Sequence, residues 1–146
     1  MIEQMTDKVP DHVLEFVEKE LYDYPINRET VMEYLRRRGD VLAQGRQAPD
    51  GDGRREGGPP SDPTHASAVR LLALERSAER ARFYVEAIDS TMRVLNEEER
   101  RMVKRRYFDR DITNAGLAHE LNMSERQFYR MRYEVVRKFA MRMTLI

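Results

Sequence analysis

One stretch limits the possible folds more than any other. Residues 43–64, AQGRQAPDGDGRREGGPPSDPT, hold five of the chain's seven Gly and four of its six Pro, with no apolar residue larger than Ala. Such a composition cannot bury enough surface to offset the entropy of ordering it. It predicts a flexible linker, set at residues 43–65, with a root-mean-square reach of roughly 25 Å by the 5 to 6 Å per square-root-residue rule. Any core must then be built from the two flanks, residues 1–42 and 66–146.

The first flank reads as two short helices. In DHVLEFVEKEL, Val13, Leu14, Val17 and Leu21 recur at the helical period, and Asp11 is placed to cap after Pro10. Pro25 disfavours helical geometry at Tyr24, so the YDYP segment is expected to break that helix. Asn27 then caps a second one, whose stripe of Val31, Met32 and Leu35 ends at the Arg36–Arg38 cluster and Gly39. Each is too short to stand alone in water, so residues 1–42 form an N-terminal helical pair that must pack on itself or on something downstream.

Beyond the linker, residues 66–94 contain neither Gly nor Pro. Leu71, Leu74, Ala78, Ala81, Val85, Ile88, Met92 and Leu95 alternate steps of three and four, which is the seam of one long helix. That seam either packs within the chain or joins two copies into a homodimer through the long helix. Fewer than four heptads, with small Ala in the middle, favour packing within the chain.

Residues 95–146 carry the chemistry. Asn96 followed by Glu99 is a capping-box pattern, and Glu97, Glu98 and Glu99 occupy a first turn where the helix dipole favours them. Met102, Val103, Tyr107 and Phe108 are its buried side, and DRD at 109–111 ends it. Thr113 caps a short helix with Leu117, Ala118 and Leu121 inward, Asn122 makes the turn, and Ser124 caps the last helix. A helix-turn-helix needs a small residue where the helices cross, a residue tolerant of left-handed backbone geometry four positions later, and apolar residues knitting the pair. Ala118, Asn122, and then Met123, Phe128 and Met131 supply these in order.

On a wheel of 100° per residue, Phe128, Met131, Val135 and Phe139 fall on one side of the last helix, with Arg126, Arg130, Tyr133 and Arg137 opposite. The exposed first two turns hold Ser124, Glu125, Arg126, Gln127, Tyr129 and Arg130, where a recognition helix presents base-reading side chains. Arg and Gln suit the edges of guanine and adenine, and hydroxyl-bearing groups suit phosphate. The expected partner is double-stranded DNA, contacted through these residues with Thr113, Tyr133 and Arg137. Arg100, Arg101, Lys104, Arg105 and Arg106 can add phosphate contacts, some of them pairing with Glu97–Glu99.

The charge supports this placement. Lys plus Arg and Asp plus Glu both number 26, yet residues 1–42 hold 6 basic and 10 acidic groups, residues 43–94 hold 8 of each, and residues 95–146 hold 12 and 8. The basic excess therefore sits with the recognition elements, where it raises a local potential that attracts anions.

The stretch LNEEERRMVKRRYFDRDITNAGLAHELNMSERQFYRMRYEVVRKF, residues 95–139, resembles region 4 of sigma-70-type factors. With the YDYP segment, the polar linker and the long helix ahead of it, the whole chain resembles phage-encoded RinA/ArpU-type regulators of late genes. The resemblance implies an all-α protein with a small N-terminal helical segment, a flexible linker, and a long helix leading into a C-terminal helix-turn-helix domain. It also implies a DNA-binding activator in the cytoplasm of a bacterial host, acting on phage late genes by recruiting RNA polymerase to a promoter. Gly116 departs from the acidic residue usual there, and Tyr129 from an often basic one. Nothing resembles the core-binding region of a full sigma factor, so recruitment upstream of a promoter is the expected mechanism.

Other classes find less support. His12, His65 and His119 lie far apart with no metal-ligand spacing, and GDG at 51–53 falls in the linker, so neither an enzyme, a cofactor nor a metal is expected. The absence of Cys removes disulfides and thiolate metal sites. No signal peptide and no apolar run of the roughly 18 residues needed to span a bilayer is present, so no membrane association is expected. The rival reading is a small terminase subunit, which also joins a helix-turn-helix to a helical oligomerisation segment and binds DNA for packaging. A helical adaptor using acidic N-terminal helices is the third.

Overall fold

The computed structural model describes residues 8–47 and 63–146. The described residues are helical, with no strand among them. The elements are α1 (Asp11–Gln47), α2 (Pro63–Val94), α3 (Glu97–Val103, continuing as a π-helical stretch over Lys104–Asp109), α4 (Asn114–Glu120) and α5 (Glu125–Arg142).

Three expectations for the first half are corrected. The N-terminal pair is a single helix of 37 residues that runs through both Pro25 and Gly39. An interior proline removes one backbone hydrogen bond and crowds the preceding turn, a cost of about 3 kcal/mol. The turn before Pro25 is anchored strongly enough to hold helical geometry. Tyr24 stacks on Phe108 with ring centroids 4.6 Å apart, and its hydroxyl donates to Asp89 Oδ1. Tyr22 packs against Tyr107 at 5.1 Å, with the Arg110 guanidinium 4.4 Å from the Tyr22 ring centre. Gly39 lies in open space and costs about 1 kcal/mol relative to Ala, which does not itself end a helix. At the start, the Pro10 carbonyl accepts from the Val13 and Leu14 amides, so Asp11 lies inside the first turn and is not its cap. The linker is likewise shorter than expected, since residues 43–47 and 63–65 are helical; the rest of that segment lies outside the described residues.

The chain groups into two compact units, residues 1–25 with 83–146 and residues 26–82, which differs from the expected division at 42, 65 and 94. In the second unit Val31, Ala78 and Ala81 are buried, while Met32, Leu35, Leu42, Val69 and Leu72 are exposed. The first unit has one core. From α1 and the segment before it come Val9, Val13, Val17 and Leu21; from α2, Ile88; and from the C-terminal elements Met102, Val103, Tyr107, Leu117, Phe128, Val135 and Phe139. The early part of α1 is therefore a structural member of the C-terminal unit. Along the α2 seam Ala78, Ala81, Val85 and Ile88 are buried, as is Leu95 just past its end, while Leu71, Leu74 and Met92 are half-buried.

Local chemistry explains the C-terminal elements. Asn96 and Glu99 form the expected capping box, at 2.8 and 2.9 Å. Glu99 is buried and its other oxygen accepts from Lys138 Nζ at 2.9 Å. The π-helical stretch closes with the Arg110 amide donating to the Arg105 carbonyl (3.1 Å) and Arg110 in the left-handed region at φ 58°.

Candidate nucleic-acid interface

The candidate face begins at the junction of α4 and α5. Thr113 caps α4, its hydroxyl oxygen accepting from the Gly116 amide at 3.0 Å. Asn122 takes φ 58°, the Met123 amide donates to the Ala118 carbonyl (2.9 Å), and the Asn122 amide donates to the His119 carbonyl (3.0 Å). These two bonds satisfy carbonyls that the end of α4 would otherwise leave open. Ser124 then caps α5 by accepting from the Gln127 amide at 3.1 Å, while Gln127 Oε1 accepts from the Ser124 amide at 3.0 Å.

Helix α5 has an apolar buried side and, over its first two turns, an exposed side that carries Arg126 and Arg130. Phe128, Val135, Val136, Phe139 and Ala140 are buried, and Met131 packs half-buried against them. Glu125, Arg126, Gln127 and Arg130 are exposed, and Tyr129 is 48% exposed. Neither Arg126 nor Arg130 makes an ion pair with a described residue. One helical turn apart, both guanidinium groups are available to a ligand.

The remaining candidates are placed differently. The Tyr133 hydroxyl accepts from the Val9 amide at 2.8 Å and the residue is half-buried, so it ties the start of the chain to α5. The Arg137 side chain is 33% exposed, and its Nη1 lies 3.8 Å from Glu134 Oε2. Glu134 is exposed on the stripe that carries Arg126, Arg130 and Arg137, and it limits the uninterrupted basic stretch to the first two turns. Gln127 acts as a cap, with its amide oxygen already committed. Thr113 and Ser124 are exposed, and their hydroxyls hold helix starts.

The supporting cluster was sorted differently from expectation as well. Glu99 pairs with Lys138 and not with the arginines beside it. Arg105 bridges Asp111 and Glu120 at 3.1 and 3.0 Å, Arg106 Nε donates to Asn114 Oδ1 at 2.6 Å, and Arg100 Nη1 reaches the Met92 carbonyl at 3.4 Å. Arg101 and Lys104 are exposed and make no ion pair with a described residue.

Sequence reasoning missed Arg132. It lies on the apolar side of α5, four residues after Phe128, and this position is the signal that it needs a buried partner. That partner is Glu18 of α1. Arg132 Nε donates to Glu18 Oε2 at 3.0 Å, Nη2 donates to the same oxygen, and the Tyr107 hydroxyl donates to it at 2.6 Å. Burial, then the adjacent Glu18 carboxylate, pushes the Tyr107 hydroxyl well above the usual tyrosine range. Burial, the largest single influence, would pull the Arg132 guanidinium down, but the hydrogen bonds and charge attraction of Glu18 and Tyr107 together outweigh it and the net direction is up. The cluster fastens α1 to the inner side of α5 and so fixes which face of α5 points outward.

Among the described residues no group of acidic, His or Cys side chains is arranged to hold a metal ion, and no helix is long and apolar enough to cross a membrane. By its elements this is an all-α protein. The chain matches no protein-family model, no curated protein and no solved structure.

Proposed function

We propose that this protein is a sequence-specific DNA-binding transcriptional regulator, with α4 and α5 acting as a helix-turn-helix and α5 as its recognition helix. The observation that carries the reading is the disposition of α5: Phe128 is fully buried, while Arg126 and Arg130 are exposed on the first two turns without an ion pair to a described residue. A helix seated in a major groove contacts base edges from that end. Arg101 and Lys104, also exposed and without an ion pair to a described residue, supply charge for the phosphate backbone.

The resemblance to sigma region 4 and to phage late-gene regulators supports the rest of the proposal. In it the protein acts in the cytoplasm of a bacterial host, binds a promoter region and recruits RNA polymerase to activate late genes. No catalytic step is assigned to it.

Fluorescence anisotropy with a specific and a random duplex tests the reading. Arg126→Ala and Arg130→Ala should each reduce discrimination between the two by about 1 to 3 kcal/mol, the worth of a bidentate base contact. Loss of Arg137 should weaken all duplexes alike. Unchanged binding by all three variants refutes the assignment.

A further inference from the structure

We infer that the duplex preferred by this face carries two guanines about one to two base steps apart, one read by Arg126 and the other by Arg130. The inference rests on the DNA-binding reading above and follows from which side chains of α5 are still uncommitted.

A glutamine recognises adenine through both ends of its amide, accepting from N6 and donating to N7. Gln127 has already used its oxygen on the Ser124 amide. The Ser124 hydroxyl is used on the Gln127 amide, the Tyr133 hydroxyl on Val9, and Arg132 on Glu18 and Tyr107. Arg137 lies beside Glu134. Of the cationic groups on the helix, Arg126 and Arg130 are left on the outward face of the first two turns without an ion pair to a described residue.

A guanidinium has five donors and no acceptor. In the major groove, guanine alone presents two adjacent acceptors, O6 and N7, whereas adenine sets a donor beside its N7, thymine has a single acceptor and cytosine a donor. Two unengaged arginines on one stripe therefore select two guanines. Their spacing follows from the helix. Four residues advance about 6 Å along an α-helix and turn it about 40° from a full revolution, so the two groups point in nearly the same direction. Successive bases on one strand lie about 3.4 Å apart, and helix residues three to four apart reach successive bases when the helix is inclined in the groove, so the two groups fall about one to two steps apart.

The test is selection from a random duplex library with the full chain, repeated with Arg126→Ala and Arg130→Ala. Both positions are exposed, and thermal melting confirms that each variant is folded before selection. The expected wild-type motif has two guanine positions about one to two steps apart. Each variant should lose preference at one of them by roughly 5- to 150-fold, the equivalent of 1 to 3 kcal/mol, and keep the other. A motif without guanines, or one that both variants leave intact, overturns the inference. Duplexes that are retained without any enriched motif also overturn it while leaving DNA binding standing. A protein that retains no duplex at all removes the proposed function and this inference together.

Discussion

Replacing Glu18 by Ala removes the carboxylate that holds both Arg132 and Tyr107. Arg132 would keep only the Tyr107 hydroxyl among the contacts described here, at 3.2 Å. Removing one partner of a fully buried ion pair costs about 3 to 5 kcal/mol, because the other charge is left desolvated. The Arg132 and Glu18 side chains retain 25% and 18% of their exposure, so water can recover part of that loss. The expected cost is about 2 to 3 kcal/mol. Arg132→Met should cost a similar amount, while the double variant should lose much less than the sum, since no unpaired charge remains. Urea unfolding of the four proteins measures the coupling, expected at about 1.5 to 2 kcal/mol. Additive losses, within about 0.5 kcal/mol, would show that the pair contributes nothing and that α1 is not fastened to α5 in this way.

Four further outcomes follow from individual contacts. Tyr107 has its proton affinity raised by burial and by Glu18, so its stabilisation is intact below the unfolded tyrosine range near 10 and is lost as pH rises beyond it; denaturation series at about pH 8 and pH 11 should show a loss that Tyr107→Phe reduces. Asn122→Ala places an ordinary side chain at φ 58° and should cost about 1 kcal/mol by thermal melting, whereas Asn122→Gly should not. Thr144, β-branched at φ 59°, closes α5 with its amide on the Met141 carbonyl; Thr144→Gly should raise stability by about 0.5 to 1 kcal/mol in the same assay. At Gly116 an added Cβ would sit 3.1 Å from Thr113 Oγ1 and 3.2 Å from Ile112 Cγ1, so Gly116→Ala should gain less in urea unfolding than the roughly 1 kcal/mol that helix propensity alone predicts.

The parts of the fold that were legible in the sequence are those set by short-range chemistry. Asn96 and Glu99 are neighbours on one turn, the left-handed tolerance of Asn122 is a property of the residue, and the alternation of Phe128, Val135 and Phe139 with Arg126 and Arg130 follows from helix geometry alone. What escaped depends on contacts distant in sequence. Pro25 reads as a breaker until Tyr22 and Tyr24 are seen held by Arg110, Tyr107, Phe108 and Asp89. Tyr133 falls on the polar arc of the wheel, and only the arrival of Val9 turns it inward. Arg132 shows from its register that it needs an acidic partner, but nothing local says that the partner lies 114 residues earlier. Gln127 suits base reading by residue type, but Ser124 three residues before it completes a capping box that engages its amide oxygen.

The central claim is that the first two turns of α5 face a DNA duplex. Titration of the isotopically labelled protein with a duplex at low salt, followed through backbone amide shifts, tests it most directly. The largest changes are expected on Thr113 and on residues 124–130, and added salt should reverse them. Changes confined to residues 26–82, or no salt-sensitive change at all, would contradict it.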